Sequence, residues 1–273
     1  MKVLKRFAYV MAVLLLCAAV FAAPQQAFAA KEVTVFAAAS MTESMNQIAE
    51  LYKKVAPDVK IVYNFDSSGT LKTQIEQGAD CDVFISAGQK QMNELDVKAD
   101  EKANPKKADF LMEGTRFNIV ANQVVMIVPK GVNPKDINDF KDVATDKVKL
   151  IALGNSDVPV GQYSEEIYKN LGLWEQINKE SKITFASNVK EVLSQVAAGA
   201  VDCGIVYGTD AATSKAVDVV AKAPADSHKP IVYPAAIMKK AKDADAAKAF
   251  IAFLKGPEAS AAFEAVGFVI PAK

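Results

Sequence analysis

The chain has 273 residues, 51 % of them hydrophobic, with 32 basic residues balanced by 32 acidic ones. That balance, with no long basic block, argues against nucleic acid and anionic membrane as partners. A chain this long fits two lobes better than one and can bury a core without disulfides.

The first thirty residues read as an export signal. Met1-Lys2-Val3-Leu4-Lys5-Arg6 is a basic n-region, Phe7 to Ala23 is apolar, and Ala27-Phe28-Ala29 fits a small-x-small cleavage rule. Cleavage after Ala29 or Ala30 would leave a soluble chain exported to the periplasm. A membrane anchor is the competing reading, but the apolar run is short for a span and the cleavage pattern follows it directly. Cys17 lacks the small preceding residue expected of a lipidated cysteine and belongs to the apolar run. Without Lys2, Lys5 and Arg6, 29 basic residues face 32 acidic ones. Long-range attraction therefore does not explain capture of an anion; local dipoles must.

Strand and helix patterns alternate through the rest of the chain. Val33–Ala37 reads as a buried strand, followed by helical spacing at Met45, Ile48, Ala49, Tyr52 and Val55. Val59–Phe65 is the next strand, Leu71 and Ile75 mark a short helix ending at Gly78, and Asp82–Ser86 is a third strand. Val124–Val128 opens a second series. It runs through Val148–Leu153, a helix near Tyr163–Leu171, Ile183–Phe185, a helix over Val189–Ala198, and Gly204–Tyr207. Ile231–Met238 is strand-like again, and alanine-rich helices near Ala244–Leu254 and Pro257–Val266 finish the chain. Such alternation predicts an α/β fold of mostly parallel sheets with helices on both faces.

Five strand-to-helix turns carry hydroxyls, glycines or a bare backbone. They are Phe36–Ser40, Phe65–Thr70, Val158–Gly161, Ser187–Val189 and Val206–Thr209. In open α/β sheets ligands sit at the carboxyl ends of strands, and helix N-termini offer unpaired N–H groups and partial positive charge. Ser40-Met41-Thr42-Glu43 matches a capping box, so its plain reading is an N-cap; its sharper reading turns the hydroxyl toward a ligand. Ser67-Ser68-Gly69-Thr70 holds more hydroxyls than one cap requires. Val158-Pro159-Val160-Gly161 has no polar side chain and would bind through backbone N–H, that of Val160. Ser187-Asn188-Val189 resembles a simple cap, with a backbone contribution from Val189 as the alternative. Tyr207 is either a packed aromatic or a phenol donor to an anion. Cys81 and Cys203 read as buried small hydrophobes, a disulfide being the alternative in an oxidising compartment. His228, the lone histidine, lies in a polar turn and has no catalytic partner; spacing gives no metal motif.

These residues resemble a family, the periplasmic molybdate-binding proteins of ABC transporters. The likeness covers essentially all of the chain beyond the signal. It is carried by Val35–Ser40, Gln74–Ala79, Asp82–Ala87, Val158–Tyr163, Gly204–Ala211 and Leu254–Pro257. It implies an oxyanion held by two serines, two backbone amides and one tyrosine, here Ser40, Ser68, Val160, Val189 and Tyr207. It implies the two-lobed periplasmic binding protein fold with the ligand in the interlobe cleft. One lobe would be residues 31–121 plus 230–273, the other 122–229, and residues 1–29 the signal. The expected ligand is molybdate or tungstate, with no other cofactor and no direct metal-cation ligand. The expected partner is an ABC membrane permease, and the expected state a monomer. Asp66 and Gly69 depart from the family pattern, and a carboxylate near the site would repel a dianion unless it points away.

Alternatives remain within and beyond that class. A phosphate or sulfate binder of the same fold would use Asp66 as acceptor for a phosphate proton. An exported hydrolase with Ser40 or Ser68 as nucleophile lacks a base beside either motif. A ferric-iron binder would want clustered tyrosines and carboxylates.

Overall fold

The computed structural model describes residues 31–271 apart from Pro134 and Ala225, so the export-signal reading falls outside the described residues. The strands, in chain order, are β1 (Lys31–Ala38), β2 (Val59–Asp66), β3 (Val83–Ile85), β4 (Phe117–Ala121), β5 (Val124–Pro129), β6 (Ile151–Gly154), β7 (Ile183–Ala186), β8 (Cys203–Tyr207), β9 (Val217–Lys222) and β10 (Val232–Ile237). They form two five-stranded sheets, ordered β2-β1-β3-β10-β4 and β7-β6-β8-β5-β9. β2, β1 and β3 pair in parallel, as do β7, β6 and β8. β10 and β5 pair antiparallel with both their neighbours. Each reversed strand is the first of its sheet after the chain arrives from the other one. The expected mostly parallel sheets are therefore mixed, with four strands aligned and one opposed.

The helices are α1 (Thr42–Val55), α2 (Ser68–Glu76), α3 (Gln89–Asn93), α4 (Pro159–Asn170), α5 (Trp174–Lys179), α6 (Val189–Ala197), α7 (Gly208–Thr213), α8 (Ala244–Leu254) and α9 (Pro257–Ala265). The period-two alternation of the strands explains how the first sheet is covered on both faces. Val33, Val35, Ala37, Val83, Ile85, Ala235 and Ile237 join one core with Met45, Ile48 and Tyr52 of α1. Phe36, Phe84 and Ala236 point the other way, to Leu71 and Ile75 of α2 and to Met92 of α3. Fully burying one such side chain contributes about 1.5–3 kcal/mol, so two covered faces hold the sheet rigid beneath its loops. Asp82, just before β3, is buried and accepts from the N–H groups of Thr34 (2.7 Å) and Lys242 (2.6 Å).

The chain leaves the first sheet between Ala121 and Val124 and returns between Lys222 and Val232. β4, β9, α3, α5 and α7 are additions to the pattern read from sequence. β9 is an edge strand whose alternation is broken by Asp218 and a register shift, and the helices are too short for a clear period. Cys81 and Cys203 are both buried and unpaired, as two small hydrophobes. Burial pushes both thiols far up, leaving them inert.

Candidate functional site

All five candidate residues sit where a strand ends and a helix or turn begins. β1 runs into a 3-10 turn, Ala39–Met41, that carries Ser40. β2 ends at Asp66, and Ser67 caps α2 by accepting from Thr70 N–H at 3.1 Å; Ser68 is the first residue of α2. β6 leads through Asn155–Val158 to α4, where Pro159 holds the first position and Val160 the second. β7 leads to Asn188, which caps α6 by accepting from Glu191 N–H at 3.0 Å and leaves Val189 first in that helix. β8 ends on Tyr207 itself. N–H groups at the first helical positions have no intrahelical acceptor, and the helix dipole makes them electropositive. The structure thus gathers Ser40, Ser68, Val160, Val189 and Tyr207 around one small cavity, completed by Ala38, Ala39, Ser67, Ala87, Val158 and Pro159.

The capping box read at Ser40 is not formed. Helix α1 begins at Thr42 with Met41 at its N-cap and no side-chain capping bond. The intervening 3-10 turn places Ser40 too early to cap, and Thr42 Oγ1 instead donates to Ala39 O at 2.7 Å. The Ser40 hydroxyl lies 2.9 Å from the buried Tyr233 hydroxyl and faces the cavity. Ser68 Oγ accepts from the Ala87 N–H at 2.9 Å, so its own proton is free to donate. Tyr207 is the most telling member. It is 1 % exposed, and its hydroxyl is buried without a hydrogen-bond partner among the described residues. Leaving a buried hydroxyl unpaired costs about 1–3 kcal/mol, a cost that a bound acceptor removes. Burial raises its ionisation well above the usual phenol range, so it stays a neutral donor at physiological pH.

Among the described residues, no lysine or arginine lines the cavity. Lys190, beside it in α6, bonds both carboxylate oxygens of Glu43 at 2.8 Å and lies 3.3 Å from Asp210 Oδ1. Its charge is thereby committed elsewhere. Asp210 is fully buried, and burial first of all lifts its carboxyl to about 6 despite Lys190. Asp66 does not line the cavity. Its Oδ1 accepts from Ser67 N–H at 2.7 Å and from Asn188 Nδ2 at 3.3 Å. The repulsion expected of this carboxylate is spent on the neighbouring helix cap and on Asn188.

Several of these contacts cross between the two sheets' ends. Asn188 reaches Asp66, and Lys190 reaches Glu43. At Gly69 an added Cβ would stand 2.2 Å from Asp157 O, so the backbones of the two halves meet closely there. The cavity leaves roughly 10 Å3 for the centre of a water molecule, near the least that holds one. In this arrangement only a small group fits among the lining residues. A larger hollow, about 470 Å3, lies by Pro129, Lys135 and Asp202 at the opposite ends of the second sheet's strands. It contains none of the converging donors, and the site follows the donors rather than the volume. Sequence reading missed Tyr233, Asn122 and the Ala87 N–H behind the serines. Tyr233 looks like any strand aromatic in Ile231–Met238, and only the fold brings it to Ser40.

Residues 33–269 match the model of a family described as bacterial extracellular solute-binding protein. The chain is 40 % identical to the molybdate-binding protein ModA of Escherichia coli strain K12, over 88 % of this chain and 89 % of that one. It is similar to the solved substrate binding domain of a putative molybdenum ABC transporter from Clostridium difficile, at 40 % identity and a TM-score of 0.65, covering 88 % and 99 % of the two chains. It also matches the solved Azotobacter vinelandii periplasmic molybdate-binding protein, with a TM-score of 0.75, 28 % identity and coverage of 88 % and 100 %.

Proposed function

The chain belongs to the bacterial extracellular solute-binding protein family, and from its likeness to molybdate-binding relatives we propose that it captures molybdate outside the cytoplasm and hands it to the membrane permease of an ABC transporter. It is a binding protein, not an enzyme. The observation that carries the ligand is the donor set. Two serines, two residues at helix N-termini and one buried phenol, unpartnered among the described residues, line one cavity. Molybdate is a tetrahedral dianion with no proton near neutral pH, so a site built of donors can pair its oxygens. In this reading Ser40 and Ser68 belong to the lobe of residues 31–121 plus 230–273. Val160, Val189 and Tyr207 belong to the lobe of residues 122–229, and the anion is clamped between them.

Tungstate has the same charge and nearly the same size and is proposed as a second ligand. The protein acts as a monomer, exported to the periplasm by a cleaved signal. The phosphate alternative needs an acceptor in the site, and the bonds of Asp66 to Ser67 and Asn188 argue against it. A calorimetric and thermal-shift panel of molybdate, tungstate, sulfate and phosphate tests this. Ligand at about 1,000 times its Kd adds roughly 4 kcal/mol, a shift of about 8–16 °C for a protein of this size. Such a shift with molybdate supports the reading; a shift with phosphate alone replaces it.

A further inference from the structure

Behind Ser40 lies a chain of hydrogen bonds, buried at Tyr233 and part-buried at Asn122, whose direction follows from its donors. Asn122 Oδ1 accepts from Gln123 N–H at 2.8 Å, which orients the amide. Its Nδ2 then faces Thr209 Oγ1 at 2.9 Å and Tyr233 Oη at 3.2 Å, one N–H for each. Tyr233 is 0 % exposed, and it receives a hydrogen bond from Asn122. Among the described residues its hydroxyl has one other partner, Ser40 Oγ at 2.9 Å. A buried hydroxyl proton needs an acceptor, so Tyr233 donates to Ser40. Ser40 Oγ has then accepted its bond, and its own proton must point onward into the cavity.

We propose that Asn122 and Tyr233 are positioning residues that make Ser40 a donor only, and that this relay lets the site tell a bare oxyanion from one carrying a proton. The inference rests on the oxyanion reading above. Ser68 is set the same way by the Ala87 N–H. A protonated oxygen of hydrogen phosphate needs an acceptor, and the relay withholds the one that Ser40 would otherwise offer. The relay also joins Thr209, on the second half, to Ser40, on the first, through Asn122 at one crossing of the chain and Tyr233 near the other.

Sulfate and hydrogen phosphate isolate the effect. Both are dianions of similar size at pH 8, and they differ by the proton. The measurement is displacement of molybdate from the full mature chain by each anion, alongside the direct Kd for molybdate. Tyr233→Phe removes the donor to Ser40, so its hydroxyl can accept as well as donate. Asn122→Asp replaces the donating amide with an acceptor and reverses the relay. The expected result is a molybdate Kd about tenfold weaker in Tyr233→Phe, the cost of one net hydrogen bond. In both variants the preference for sulfate over hydrogen phosphate should shrink by a similar factor, in Asn122→Asp despite the added charge, because that charge repels both dianions alike. Ligand-free melting of both variants guards against simple unfolding, and Tyr233→Phe keeps the ring that packs on Phe268. A preference unchanged from wild type in both folded variants overturns the relay. Failure of the wild-type chain to bind molybdate at all would instead overturn the function on which the relay rests.

Discussion

At the scale of single residues, the site serines and the site tyrosine make opposite demands on the ligand-free protein. Ser40 and Ser68 each hold a buried partner, Tyr233 Oη and Ala87 N–H. Truncating either to alanine removes a donor to the anion, at about 1.5–3 kcal/mol of affinity, and also orphans that partner, at about 1–3 kcal/mol of stability. Tyr207 has no partner to orphan among the described residues. Tyr207→Phe should lose similar affinity, yet melt at or above the wild-type temperature when ligand-free. Calorimetric titration paired with urea melts separates the cases; a Tyr207→Phe variant with wild-type affinity would return Tyr207 to the role of a packed aromatic. Asp210 sets a pH dependence. Its carboxyl ionises at 3.8 in the unfolded chain and at about 6 when buried. Between those values the folded protein holds a proton that the unfolded chain has released. The stability from this group is therefore full below pH 4 and declines as pH rises through 6, by on the order of 3 kcal/mol. Urea melts across pH 4–7 should show that decline in wild type relative to Asp210→Asn; parallel curves would refute it.

At the scale of elements, the strand-to-helix turn is the working unit, and its place was legible because residue type and position agreed. Ser67-Ser68-Gly69-Thr70 and Val158-Pro159-Val160-Gly161 both sit at helix starts, as their hydroxyls and proline imply. Ser40 was legible as a residue at a strand's carboxyl end but not in its bonding. A one-turn 3-10 segment has no sequence period to betray it, and it cancels the capping box. Gly69 illustrates a constraint that no local pattern carries. It lies inside α2 with ordinary helical geometry, where alanine would be favoured by up to about 1 kcal/mol. What forbids a side chain is Asp157 O from the other half, 2.2 Å from where the Cβ would be. Gly69→Ala should therefore melt at or slightly above the wild-type temperature when the cleft is open, yet bind the anion at least tenfold more weakly. Equal affinity in the variant would mean that the two backbones do not need to meet.

At the scale of the whole molecule, the alternation of strands and helices made the two-sheet fold readable, while the pairing of its halves was not. The contacts that join them, Lys190 with Glu43 and Asn188 with Asp66, link residues 147 and 122 positions apart. No local pattern predicts such pairs; they follow from which loops the two sheets present to each other. An anion that contacts donors from both halves binds the closed arrangement better than an open one, and that difference drives closure. Small-angle scattering should show a smaller radius of gyration with molybdate than without, and a smaller change in Gly69→Ala at equal, subsaturating ligand. The claim that everything else depends on is the position of the anion itself. Anomalous diffraction at the molybdenum edge, from crystals grown with molybdate, locates it directly. The expected result is a single strong peak in the cavity, with ligand oxygens about 2.6–3.2 Å from Ser40 Oγ, Ser68 Oγ, the N–H groups of Val160 and Val189, and Tyr207 Oη. A peak elsewhere, or one in the cavity beyond reach of Tyr207 Oη and the two amides, would contradict it.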